Sequence, residues 1–209
     1  MLRVILPEGR IFFAILRNAY RLEDVRMQFK AEIMDESAVG RSLLRITHEI
    51  IERNRGTNGV VLLGIKRRGV PLAKRIAENI KKFEGVDVPV GYIDITLYRD
   101  DLSEQAEMPS ASDTEIPCEI TGKRVIIVDD VIYTGRTVRA AIEGVFAIGR
   151  PACIQLAVLV DRGHRELPIR PDFVGKNIPT SRTEVVAVCV PEFDGCTGVK
   201  LYDTSVNGK

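Results

Sequence analysis

The chain of 209 residues has no tryptophan, an aromatic content of 6% and only four cysteines. Cys118, Cys153, Cys189 and Cys196 fall at spacings that fit neither a zinc-ribbon pair nor the disulfide framework of a short secreted chain. They read as small buried hydrophobes in a reducing cytoplasm. An excess of one charge is also missing: Lys+Arg number 30, Asp+Glu 29, and the formal net charge is +1. No bulk electrostatics therefore draws the protein onto nucleic acid or lipid, and any nucleic-acid site has to be a local patch. Long hydrophobic runs are lacking too. The stretch Ile11-Phe12-Phe13-Ala14-Ile15-Leu16 is far shorter than the about 20 apolar residues a membrane helix needs, so no membrane partner is expected. Glu8, Glu23 and Asp24 spoil the acid-poor character of a transit peptide. Arg3, Arg10, Arg17, Arg21 and Arg26, interleaved with apolar residues, suit a basic amphipathic helix, the alternative being a start of translation at Met27. Residues 1–30 are set apart as an extension, and 31–209 are expected to form one domain.

What is present is an ordinary globular balance, 45% hydrophobic and 28% charged. From Asp35 onward, Val39, Leu43, Ile46 and Ile50 repeat with the period of one buried helix face, while Arg41, Arg45 and His48 share another. Val60-Val61-Leu62-Leu63 is short and continuous enough for a buried strand, and Pro71 suits the first position of a following helix. A second strand is expected over 89–98, a third over Val125-Ile126-Ile127-Val128, a helix over 137–147, and further strands over 154–160 and 185–190. Residues 103–117 carry Glu104, Glu107, Asp113 and Glu115, two prolines and no basic residue, and read as a long mobile loop. Strands alternating with helices imply an α/β fold with a mostly parallel sheet and right-handed crossovers.

The most informative string is Val125-Ile126-Ile127-Val128-Asp129-Asp130-Val131-Ile132-Tyr133-Thr134-Gly135-Arg136-Thr137. An apolar strand ends in two adjacent acids, and a glycine-centred loop then opens a helix. Ligands in open α/β sheets bind beyond the carboxyl ends of strands, and a helix N-terminus offers free N–H donors to a phosphate. Two neighbouring carboxylates repel, and they stay ionised only where cations or hydroxyl donors face them; a ribose diol beside a divalent metal meets that need.

This string resembles the phosphoribosyl-pyrophosphate signature of the type I phosphoribosyltransferases. The resemblance implies their fold, with a central mostly parallel sheet, flanking helices, a small hood over about 160–182 and a lid over about 99–117. It also implies displacement of pyrophosphate from the anomeric carbon of the sugar by a base nitrogen, with magnesium held through the phosphoribosyl pyrophosphate. Asp129 and Asp130 would then hold the ribose hydroxyls and Thr134 to Thr137 the 5′-phosphate, with Val131, Ile132, Tyr133, Thr134, Gly135, Arg136 and Thr137 together binding the phosphoribosyl pyrophosphate. Lys66, Arg67 and Arg68, in Gly64-Ile65-Lys66-Arg67-Arg68-Gly69, would meet the pyrophosphate, and Arg99 would act with the acids in catalysis.

Asp94-Ile95-Thr96-Leu97-Tyr98-Arg99-Asp100-Asp101, Leu159-Val160-Asp161-Arg162-Gly163-His164-Arg165 and Gly175-Lys176-Asn177-Ile178-Pro179-Thr180-Ser181 narrow this further. They are similar to the family of pyrimidine-operon attenuation regulators, cytoplasmic proteins with uracil phosphoribosyltransferase activity. That similarity implies uracil and phosphoribosyl pyrophosphate as substrates, UMP and UTP as effectors, the leader RNA of a pyrimidine (pyr) operon as partner, and a homodimer or homotetramer. Val160, Asp161 and Arg162 would read the base, largely through backbone groups. Arg45, His48 and Arg53, with His164, Arg165, Arg170 and Lys176, match the RNA-binding surface, although Leu44 stands where RNA-binding members carry threonine. Two alternatives accompany this reading. One is an enzyme without RNA binding; the other is a hypoxanthine-guanine salvage enzyme, suggested by Pro171-Asp172-Phe173-Val174-Gly175. Tyr133 and Arg162 stand against the purine enzyme, which carries an acid and a lysine at those places.

Overall fold

The structure, a computed structural model, describes residues 27–95 and 114–204. Arg99, most of the expected lid and the arginine-containing extension through Arg26 lie outside them. The chain divides into two compact units, one formed by Gly40–Pro179 and the other by Met1–Val39 with Thr180–Lys209.

The larger unit is built on a five-stranded sheet of order β3-β2-β4-β5-β6, with β2 Val60–Ile65, β3 Val90–Ile93, β4 Arg124–Ile132, β5 Cys153–Asp161 and β6 Phe173–Asn177. Every neighbouring pair is parallel. Strands covered on both faces read as near-continuous apolar runs, and all six residues of β2 are buried accordingly. Helix α1, Glu36–Asn54, starts where the Asp35 carboxylate accepts the Ala38 N–H at 2.7 Å, a side-chain N-cap. Helix α2, Gly69–Glu84, turns Leu72, Ala73, Ile76 and Ile80 inward and stops at Gly85, whose φ of 70° is the left-handed conformation that glycine adopts without penalty. Helix α3, Arg136–Ile148, buries Val138, Ala140, Ala141 and Val145. Its inward face joins Ile127 of β4, Leu156 and Val158 of β5 and Ile93 of β3 in one apolar cluster.

Several elements depart from the sequence expectations. β4 runs through Asp129 and Asp130 to Ile132, because the ladder to β5 continues with Asp129 opposite Val158 and Val131 opposite Val160. Pro71 is the third helical residue of α2, where a missing N–H still costs nothing because the first four donors have no partner within the helix. Among the described residues of the strand expected over 89–98, Val90–Ile93 are regular, and 96–98 lie outside the described residues.

The smaller unit holds an antiparallel sheet of order β1-β8-β7, from β1 Gln28–Met34, β7 Glu184–Cys189 and β8 Gly198–Asp203; the short helix α4, Pro191–Asp194, lies between β7 and β8. β1 and β8 were not anticipated. Lys30 forms an ion pair with Glu184, and that contact, with the Ser181 N–H, holds the Glu184 carboxyl below the usual carboxylate range. The expectation that all four cysteines are buried holds for Cys189, whereas Cys118 is half-buried and Cys153 and Cys196 are exposed. Cys153 opens β5 at the rim of the sheet and Cys196 follows the α4 turn, so neither position reaches a core.

Candidate active site

The C-terminal end of β4 brings the two aspartates to the loop that opens α3. Asp129 is buried at 6% exposure, and its carboxylate accepts the Asp130 N–H at 3.0 Å; the Asp130 carboxylate accepts the Val131 N–H at 2.8 Å. Burial pushes the Asp129 carboxyl well up, and the neighbouring Asp130 charge pushes it further. Burial raises Asp130 as well, but the Arg68 guanidinium opposes the shift. Ionised together, these groups are short of solvation and call for donors or cations from a ligand.

Arg68 comes this close because glycines permit it. A Cβ on Gly69 would lie 2.2 Å from the Val128 carbonyl oxygen, and one on Gly64 2.5 Å from the Val70 Cα. The loop Lys66-Arg67-Arg68 is thus drawn against β4 beside the aspartates, and the Lys66–Arg67 peptide is cis. On the other side, Gly135 caps α3 at φ 95°. The Thr134 hydroxyl accepts the Arg136 N–H at 3.3 Å, and the Thr134 carbonyl accepts the N–H groups of Glu166 and Leu167 at 2.9 and 3.2 Å. Arg136 pairs with Glu166 at 2.7 Å, and Thr137 is exposed in the first turn of α3. Basic loop, acidic strand end and helix N-terminus therefore surround one place, an arrangement suited to a polyanionic sugar phosphate.

At this site's sequence level a family profile for the phosphoribosyl transferase domain matches residues 31–192. The chain belongs to the phosphoribosyltransferase family. Its relatives include the bifunctional protein PyrR of Acetivibrio thermocellus, 63% identical over 174 residues that cover 83% of this chain and 95% of that protein. The bifunctional protein PyrR of Thermus thermophilus is 59% identical over 177 residues, 85% of this chain and 98% of that one. Among solved structures, a hypoxanthine phosphoribosyltransferase of Trypanosoma cruzi has a TM-score of 0.66 at 18% identity, covering 85% of this chain and 98% of that one. A hypoxanthine-guanine phosphoribosyltransferase of Bacillus anthracis has a TM-score of 0.63 at 19% identity, covering 86% of this chain and all of the other. Those two likenesses show the phosphoribosyltransferase fold and no more.

The residues expected to read the base lie where β5 ends. Val160 is fully buried between its ladder partners Val131 and Lys176, and Asp161 accepts the Gly163 N–H at 2.9 Å. Arg162, 3% exposed, lays its guanidinium over the Tyr133 ring at 4.0 Å, and His164 meets that ring edge-on at 5.9 Å. Tyr133, in the loop that opens α3, and Arg162, just after β5, thus pack as one unit. Nothing local in the sequence signals that pairing, since 29 positions separate the two. Ile132 is buried beneath them and Val131 is half-buried.

The seven residues matched to an RNA surface are placed unequally. Arg170, Lys176 and His164 are exposed. Arg45 pairs with Glu49 at 2.7 Å and donates to the Val174 and Gly175 carbonyls at 2.9 and 2.6 Å. Arg53 pairs with Asp172 at 2.7 Å and lies over the Phe173 ring at 5.7 Å. Phe173 itself is a core residue, 2% exposed, and not a free face for a base. His48 stacks on Phe83 at 4.3 Å. Arg165 is held inward, donating to Asp161 at 2.5 Å, Tyr133 O at 2.9 Å and Ile169 O at 3.0 Å.

Proposed function

We propose that the protein makes UMP and pyrophosphate from uracil and phosphoribosyl pyrophosphate, and that uridine nucleotides at the same site govern its binding to a pyrimidine-operon leader RNA. The Asp129–Asp130 pair, buried at Asp129 and half-buried at Asp130, carries the enzymatic half: two under-solvated carboxylates want hydroxyl donors, and a ribose 2′,3′-diol supplies two. The Tyr133-to-Thr137 backbone and the Thr134 and Thr137 hydroxyls take the 5′-phosphate, while Lys66, Arg67 and Arg68 take the pyrophosphate. A uracil ring nitrogen attacks the anomeric carbon as the bond to pyrophosphate breaks, and the nitrogen's proton passes to the departing pyrophosphate. Positive charge develops on the sugar, and negative charge on the leaving group opposite the basic loop. Base recognition falls to the backbone of Val160 and Asp161 and to Arg162.

Magnesium fits this donor set. Two adjacent hard-oxygen carboxylates would face an ion carried in on the substrate phosphates, where it would neutralise pyrophosphate charge. Arg99, outside the described residues, is proposed to act with Asp129 and Asp130 in catalysis. RNA binding rests on Arg45, His48, Arg53, His164, Arg165, Arg170 and Lys176, with Arg170 and Lys176 offering exposed charge to phosphates. Homo-oligomeric assembly and a cytoplasmic location belong to the same proposal; no helix among the described residues is long and apolar enough to cross a membrane.

The test is magnesium-dependent nucleotide formation from phosphoribosyl pyrophosphate with uracil, hypoxanthine, guanine and orotate offered separately. UMP from uracil alone is the expected result. Product from a purine transfers the assignment to purine salvage.

A further inference from the structure

Tyr92 has no part in the roles assigned above, yet it touches a residue that does. Lys66, first of the three basic residues in the loop after β2, sets its ammonium 4.3 Å from the centroid of the Tyr92 ring, well inside the about 6 Å over which a ring face attracts a cation. The Lys66 backbone N–H donates to the Ile93 carbonyl at 3.0 Å. β3 therefore holds Lys66 at both ends, the main chain through Ile93 and the ammonium through Tyr92. Strand register explains the match, because Gly64 pairs with Tyr92 and Ile65 with Ile93 in the parallel ladder.

Tyr92 is itself anchored. Its N–H donates to the Glu115 carbonyl at 2.9 Å and its carbonyl accepts the Glu115 N–H at 3.0 Å, an antiparallel bridge on the open edge of β3. Gly91, next to it, lets that segment lie flush: a Cβ there would sit 2.3 Å from the Glu115 carbonyl oxygen. A ring fixed this way restricts a four-carbon lysine stem before any anion arrives, so less ordering remains for binding to impose. Ring-face attraction leaves the ammonium charged and able to meet an anion.

We propose that Tyr92 is a positioning residue that pre-sets the Lys66 ammonium for the pyrophosphate group, an inference that rests on the assignment of Lys66, Arg67 and Arg68 to pyrophosphate. Titration of the wild type, Tyr92→Phe and Tyr92→Leu with magnesium pyrophosphate tests it without any nucleobase. Tyr92→Leu is expected to bind about two- to fivefold more weakly, the scale of one exposed cation–π contact. The KM for phosphoribosyl pyrophosphate should rise by the same factor with kcat within twofold, and Tyr92→Phe, which keeps the ring face, should match the wild type in both. Binding by Tyr92→Leu as tight as the wild type or tighter, or equal impairment of Tyr92→Phe, overturns the role. A wild type that binds pyrophosphate but makes no UMP refutes the uracil assignment alone, and one that binds no pyrophosphate overturns both. Should Tyr92→Leu fail to fold, the NMR spectrum of wild type with 13C-dimethylated lysines decides: a Lys66 methyl signal displaced upfield by the ring supports the contact, and its absence overturns it.

Discussion

Asp129 opposes the fold it belongs to. A carboxyl whose folded pKa is raised binds its proton more tightly in the native state than in the unfolded one, so its contribution to stability falls as pH climbs from the ordinary carboxylate range through the raised value. Asp129→Asn removes that cost while its amide oxygen still accepts the Asp130 N–H. Without ligand at neutral pH it should melt at least about 2 °C above the wild type, the change that roughly 1 kcal/mol makes in a chain of this size. The gap should close as pH falls through the raised pKa, and a constant gap in thermal melts between pH 4 and 8 would contradict the burial argument. Asp130→Asn should gain less, because Arg68 already offsets its charge, yet the proposed role at the ribose diol predicts a loss of turnover of at least about tenfold. Unchanged initial rates for Asp130→Asn, at saturating and at low phosphoribosyl pyrophosphate, would remove it from the site. The pair alone says little in sequence, since adjacent acids also suit a solvated helix N-terminus; its importance is legible only in the whole string of apolar strand, two acids and Thr134-Gly135-Arg136-Thr137. What escaped it was the partner: Arg68 lies 62 positions upstream of Asp130 and reaches it only across the sheet.

At the scale of elements, α1 and β6 are tied by arginines from one helix face. Arg45 reaches the Val174 and Gly175 carbonyls, Arg53 reaches Asp172, and Asp172 in turn accepts the Leu156 N–H at 2.8 Å. Hydrogen bonds from a charged donor to backbone carbonyls are worth more than an exposed ion pair, but the Arg45 side chain remains 49% exposed. Arg45→Ala should therefore cost about 1 kcal/mol and lower the melting temperature by about 2–4 °C. Filter binding at fixed salt should show weaker leader-RNA affinity with turnover unchanged; unaltered affinity would confine Arg45 to its structural role. Periodicity identified the helix and its charged face, because burial repeats locally along a helix. It gave no sign that one of those arginines closes on β6, a contact made across 129 positions. Strands β2, β4 and β5 were readable as apolar runs for the same local reason, whereas β4 was read short because aspartate resembles a strand end until its ladder partner on β5 is known.

For the whole molecule, the family profile begins at residue 31, directly after the extension over 1–30. A chain starting at Met27 is expected to fold and to form UMP at the full-length rate; a soluble but inactive product in the same assay would assign the extension a part in the enzyme. By itself the sequence determined the α/β class and the order of β2, β3, β4, β5 and β7 with the helices among them, and it pointed to the end of β4 as the site, because each is written in short runs of burial, charge and turn residues; it carried no signal for β6. Only the tertiary structure decided that residues near both ends of the chain make a separate antiparallel sheet, with Gln28 opposite Asp203. It alone set Tyr133 under Arg162, Lys66 over Tyr92 and Arg165 against Asp161. The physical reason is the same throughout: a strand register or a ring stacked on a cation is fixed by what lies across the fold, and the neighbouring residues in sequence carry no imprint of it.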